Sequence, residues 1–284
     1  MPTAAYKDPL IAAYYLASLP MRRHLAARRA AAGRAPVTAL FYHRVADEHP
    51  NDWTISTERF KSQITWLRER YEIITLLDAQ QRMGSAVNRT PAVCITFDDG
   101  YADNCREAIP WLIHRGVPLT YFVATAHVLE GKPFEHDVRR NQPFAPNTPE
   151  QLREMAAGGV ELGAHTRGHV DLGAVECEQQ LHEEIAGSKR DLEAITGRAV
   201  RYFAFPYGLH ANLSEAAFRV AFAAGFWGVC SAYGDYNLPG DDPFHIHRIH
   251  GDPGWARFCN SLTVDPRKFR RVPRFKANDY RLGF

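Results

Sequence analysis

The chain is poor in cysteine, in net charge and in long apolar runs, and each scarcity removes a class of protein. Its five cysteines, Cys94, Cys105, Cys177, Cys230 and Cys259, are odd in number, widely spaced and form no C-x-x-C pair. That spacing suggests neither a disulfide framework nor a thiolate zinc site, so a reducing, cytoplasmic compartment is expected. A formal net charge of +2 is too small to argue for nucleic acid as a partner, and no zinc-finger spacing, RNA-binding signature or phosphate loop occurs. The apolar stretch Pro9 to Leu19 is short, interrupted and followed by arginines, so no signal peptide is expected.

With 45% hydrophobic and 23% charged residues, the 284-residue chain has the composition of an ordinary globular protein with one large domain. Residues 1–35 read as a helical arm, apolar at Ile11, Tyr14, Tyr15, Leu16 and Leu19, then basic at Arg22, Arg23, Arg28, Arg29 and Arg34. Such an arm either packs on the domain with a solvated basic side or makes a peripheral contact with an anionic membrane. Residues 253–284, basic from Arg267 to Lys276, form a C-terminal extension expected to pack on the domain and open to the same two readings.

Between them, residues 36–252 alternate strand and helix patterns. Strands are expected at Val37 to Tyr42, Glu72 to Thr75, Ala92 to Phe97, Leu119 to Ala124, Val160 to Ala164, Arg201 to Phe205 and Phe226 to Ser231. Helices are expected at Ser56 to Arg70, Asn104 to His114, from Thr148 to the stop at Gly158, Glu176 to Thr196 and Leu213 to Ala224, with an irregular loop at Gly131 to Pro146. This α/β alternation implies a parallel sheet, open or closed into a barrel, with ligands at the carboxyl ends of the strands.

Three polar clusters stand at such strand ends. In Thr96-Phe97-Asp98-Asp99-Gly100 an apolar run stops at two carboxylates and a glycine able to turn both onto one rim, although Asp-Asp-Gly is also a common surface turn. His165-Thr166-Arg167-Gly168-His169 spaces two imidazoles to converge on one ion. With Asp99 they make a three-ligand set that leaves positions open for water and substrate. In Phe205-Pro206-Tyr207-Gly208 the flanking proline and glycine fix the backbone, so that the Tyr207 N–H could meet a developing oxyanion; the alternative is an aromatic strand end packed as core.

These motifs, in this order, resemble the polysaccharide deacetylases, carbohydrate esterase family 4 with its NodB-homology domain. The resemblance runs from about Val37 to Asp252 and includes Phe41-Tyr42-His43-Arg44-Val45 and Asp242 to Ile249 as opening and closing strands. It implies a distorted (β/α)7 TIM-like barrel and a metal-dependent hydrolase that removes acetyl groups from an N-acetylated sugar of a cell-surface polysaccharide or its precursor. It also implies Asp98 as general base, Asp99, His165 and His169 as ligands of a divalent ion, zinc or another first-row metal such as cobalt, and Tyr207 as the oxyanion N–H donor. Two departures follow. Where many relatives carry an arginine that holds the catalytic aspartate, this chain has Ala204, and Arg248 is the expected substitute. The relatives' Leu-x-His acid is replaced by His245, His247, Arg248 and His250; strand periodicity turns His250 inward with Arg248, making it the expected acid, with His43 as rival. Alternatives within the same chemistry are deformylation or deacetylation of a lipid-linked sugar or small amide. Outside it stands a non-catalytic carbohydrate-binding barrel, whose usual mark, loss of the base or a ligand, is absent.

Overall fold

Seven short runs rich in β-branched, aromatic and small apolar residues form parallel strands: Val37–Tyr42 (β1), Ala92–Phe97 (β2), Thr120–Val123 (β3), Glu161–Ala164 (β4), Tyr202–Ala204 (β5), Gly228–Ser231 (β6) and His245–His250 (β7). The computed structural model describes residues 7–251, 254–269, 275 and 280. Each strand from β2 to β7 pairs with the next, and β1 pairs with both β7 (Ala39 opposite Arg248) and β2 (Val37 opposite Ala92). The sheet therefore closes into a seven-stranded barrel. A two-residue strand, Glu72–Ile73, lies parallel beside the start of β2.

Alternation along the strands sorts the core into two shells. Val37, Ala39, Ala92, Cys94, Phe122, Tyr202, Ala204, Cys230 and Ile246 form one buried cluster that fills the barrel. The intervening Leu40, Tyr42, Val93, Ile95, Phe97, Val123, Phe203 and Val229 belong to the larger cluster shared with the helices. Burial pushes the Cys230 thiol up to about 12, as expected of a small core side chain without chemistry.

Ten α-helices are described: Lys7–Ala31 (α1), Thr57–Arg68 (α2), Leu76–Gly84 (α3), Ala108–His114 (α4), Thr125–Glu130 (α5), Glu135–Arg139 (α6), Pro149–Ala157 (α7), Glu178–Thr196 (α8), Glu215–Ala223 (α9) and Trp255–Leu262 (α10). α7 starts as its sequence requires, with Pro149 in the first turn and a capping box between Thr148 and Gln151. α3 was not anticipated. It follows Thr75, whose own capping box with Asp78 is a legible start signal, and its Leu76, Ala79 and Met83 join the cluster that fills the barrel. The stretch expected to be one irregular loop contains α6, and α5 precedes it, so that expectation is corrected. These helices are of five and six residues, too short to show a 3.6-residue apolar period.

α1 packs through one side. Arg22, 1% exposed, reaches Asn260, Thr263 and Asp265 around the end of α10, while Leu10, Leu16 and Met21 on the other side are exposed. Much of the 253–284 extension lies outside the described residues; of the rest, α10 and Tyr280 contribute to the core.

Candidate metal centre and cleft

At the end of β2 the chain turns within three residues. Asp99 takes a left-handed φ of 74°, Gly100 one of 100°, and the Gly100 N–H donates to the Asp98 carbonyl (3.0 Å). A Cβ on Gly100 would lie 3.1 Å from Val123 Cγ1, so glycine serves both the turn and the close approach. The two carboxylates separate in role because of this turn. Asp98 drops into the barrel, where both its oxygens accept from Arg248, Nη1 to Oδ1 at 2.6 Å and Nη2 to Oδ2 at 2.8 Å. Arg248 also donates to Thr96 Oγ1 and to the Ser231 carbonyl, and its guanidinium lies within 5.0 Å of the Phe41 ring centroid and 5.2 Å of that of Phe122. A fork of this kind fixes a carboxylate plane in a way that a lysine cannot. Ala204, on a neighbouring part of the wall, contributes no side chain to the pair.

Asp99 turns the other way. Its Oδ1 lies 3.4 Å from His165 Nε2 and 3.2 Å from His169 Nε2, and ligating atoms of the three residues all fall within 4.8 Å of one another. Ligand atoms at ~2.0–2.2 Å from a tetrahedral ion are separated by roughly 3.3 Å, so the spacing suits a first-row divalent cation. Two further observations agree. His165 Nδ1 donates to the Ala204 carbonyl at 2.7 Å, which leaves the Nε2 lone pair aimed at the shared point. Asp99 Oδ1 is buried without a hydrogen-bond partner of good geometry, an orphan that a cation would satisfy.

Left-handed non-glycine residues gather here: Asp99, Thr166 (φ 61°), His169 (φ 54°) and Tyr207 (φ 60°). Each costs about 1–3 kcal/mol, and a β-branched threonine is the worst suited of them. Tyr207 precedes Gly208, which is left-handed itself and where a Cβ would lie 2.7 Å from the Ala232 nitrogen. Among the described residues the Tyr207 N–H donates to no backbone carbonyl.

These groups share a cleft of about 240 Å³, lined by Asp98, Asp99, His165, His169, Tyr207 and Arg248 together with Phe41, His43, Phe205 and Ala232. Trp53 and His136 complete it and were not foreseen, since they come from a loop and from the five-residue α6, where no local pattern marks them. They meet edge to face with centroids 5.1 Å apart. His250 is not among the lining residues. Its ring lies 5.2 Å from Phe41 and 5.8 Å from His43, behind the residue that reaches the cleft, and burial pushes its imidazole down to about 4. His245 and His247 are buried on the opposite face of β7, beside Phe218 and Tyr233.

Fold and site together define the class: a (β/α)7 barrel with a candidate divalent-metal centre and a second, arginine-bound carboxylate at the carboxyl ends of its strands. The family model "Polysaccharide deacetylase" matches residues 86–225, which contain the Asp98-Asp99, His165/His169 and Tyr207 segments. Over that span the chain resembles the polysaccharide deacetylase family. It is 27% identical over 239 residues to the Bacillus subtilis (strain 168) protein YxkH, covering 82% of this chain and 78% of that one. It is 29% identical to the chitooligosaccharide deacetylase of Bradyrhizobium sp. (strain ANU 289) over 75% of this chain and 95% of the relative. Among solved structures, IcaB from Ammonifex degensii superposes with a TM-score of 0.67 at 26% identity, over 81% of this chain and 97% of that one.

Proposed function

We propose that the protein removes acetyl groups from the nitrogen of an N-acetylated sugar, in a polysaccharide or its precursor, with Asp98 as general base. The observation that carries this reading is the division of two consecutive aspartates, one into an arginine fork and the other into a carboxylate–imidazole triad, on the wall of one cleft. A divalent ion held by Asp99, His165 and His169, zinc in our reading, supplies a positive charge that polarises the acyl oxygen and acidifies water when bound.

The protein's own groups do the rest. Arg248 occupies one lone pair on each Asp98 oxygen, and the remaining lone pairs are free to take a proton from the attacking water. The Tyr207 N–H, fixed by the left-handed backbone before Gly208, donates to the oxygen that becomes negative as the carbonyl carbon turns tetrahedral. The sugar nitrogen leaves only once protonated. We assign that proton to the His43–His250 pair, with His43 the member that reaches the cleft.

Membrane contact through α1 is part of the same proposal. It is supported by the exposed Leu10, Leu16 and Met21 beside exposed Arg23 and Arg28. No helix among the described residues is long and apolar enough to cross a membrane. The activity is tested by incubating the zinc- or cobalt-loaded protein with chitin oligomers, peptidoglycan fragments and lipid-linked N-acetylhexosamines and assaying free acetate. Metal-dependent release from one class is the expected result and names the substrate; no release from any class contradicts the proposal.

A further inference from the structure

The loop that carries both histidines, 165–169, is held in a costly conformation, with Thr166 and His169 left-handed and Thr166 fully buried. Something outside the loop must keep it there. Its carbonyls are satisfied by the first turn of α5: the Thr125 N–H donates to the Thr166 carbonyl (3.2 Å) and that of Ala126 to the Arg167 carbonyl (2.9 Å). Its N–H groups go the other way. Those of Arg167 and Gly168 both donate to one carboxylate oxygen of Glu184, at 2.9 and 2.8 Å.

Glu184 belongs to a continuous stripe. Glu184, Gly187 and Asp191 are spaced three and four residues apart, so they share one face of α8. Asp191 accepts from Arg167 Nε at 2.8 Å and from Thr125 Oγ1 at 2.8 Å, tying the loop's only long side chain to α8 and to α5 at once. Gly187 explains how the loop comes so near. A Cβ there would lie 2.8 Å from Arg167 Cδ, so the arginine stem crosses the helix where a side chain is missing. A glycine inside a helix is costly in propensity, and this close approach is its physical reason.

We propose that Glu184, seated with Gly187 and Asp191 on α8, is a positioning residue that clamps the strained 165–169 loop so that His165 and His169 converge on Asp99 and hold the metal. It touches neither ion nor substrate; it acts through the backbone of the loop. The inference rests on the metal reading of the site, and metal affinity tests it directly.

Zinc affinity of the full chain, measured by competition with a chelating dye, is compared among three proteins. Glu184→Ala removes the shared acceptor of both N–H groups and weakens zinc binding by about 10- to 100-fold, as loss of groups that orient ligands does elsewhere. Glu184→Gln keeps an amide oxygen able to accept the same two N–H groups and stays close to the parent. At saturating zinc, Glu184→Ala recovers turnover, which a general loss of structure would not allow. Parental zinc affinity in Glu184→Ala, or a loss in Glu184→Gln as large as in Glu184→Ala, overturns the clamp. Should Glu184→Ala fail to fold, Gly187→Ala serves instead, since its methyl displaces Arg167; here too weakened zinc binding is expected, and parental affinity overturns the clamp. A parent protein that binds no zinc overturns the metal reading itself, and that outcome is distinct from the others.

Discussion

Two nitrogen atoms of Arg248 hold both oxygens of Asp98 inside a shell of apolar and aromatic side chains, with 1% and 5% of the two side chains exposed. In that setting each charge is tolerable only with the other. Arg248→Met leaves the carboxylate buried without a counter-charge and is expected to destabilise the fold by about 3–5 kcal/mol at neutral pH, read from chemical denaturation. An unchanged denaturation midpoint at neutral pH would show that the pair is not held as described. The His43–His250 pair yields a second prediction. His43→Ala should lower kcat by about 10²- to 10⁴-fold, the range of a lost acid–base group, and His250→Ala by less. His250 also marks the stability curve. Its imidazole is held near 4 by burial and by His43, against an ordinary 6.5. The unfolded chain therefore binds a proton there from about pH 6.5 downward while the folded chain does not until about pH 4, so stability falls as pH drops through that window. His250→Phe should flatten that part of the curve; an unaltered slope would mean that His250 is not buried as described.

At the scale of elements, the strand ends were the legible feature. Each of β2, β4 and β5 is an apolar run that stops at a polar or glycine-bearing motif, and a barrel's topology places all such stops on one rim. Arg248 could be assigned to the interior because an extended strand turns residues 246, 248 and 250 to one side, and the register of β7 against β1 does so. Trp53, His136 and Glu184 could not be read in this way. Trp53 and His136 reach the cleft from a loop and a five-residue helix, and Glu184 looks like any solvated acid on α8 until the 165–169 loop is folded against it. The start of α3 is masked despite its capping box, because the strand before it spans only two residues and the apolar run Ile73-Ile74-Thr75-Leu76-Leu77 continues across the change of element. α1 is an element whose outer side makes a prediction of its own. Co-sedimentation with vesicles containing anionic phospholipid should be strong for the parent, weak on neutral vesicles, and lost in Leu10→Asp/Leu16→Asp. Equal partition to both vesicle types, or none to either, would remove the membrane role.

The whole molecule divides its labour between a closed parallel barrel and the loops at one end of it. One buried apolar cluster fills the barrel alongside the Arg248–Asp98 pair, and a larger one occupies the layer between strands and helices. That packing allows four strained non-glycine residues to persist at the rim, where the candidate metal centre and Asp98 stand on one cleft. The central claim is that Asp98 moves protons while Asp99, His165 and His169 hold a metal. It is tested most directly by measuring zinc content and acetate release together for the parent, Asp98→Asn and His165→Ala, on the N-acetylated sugar that the parent deacetylates. The account predicts that Asp98→Asn keeps its zinc and loses turnover by at least about 10²-fold, while His165→Ala loses the zinc and the activity with it. Acetate release by Asp98→Asn at the parental rate, or full zinc occupancy in His165→Ala, would contradict it.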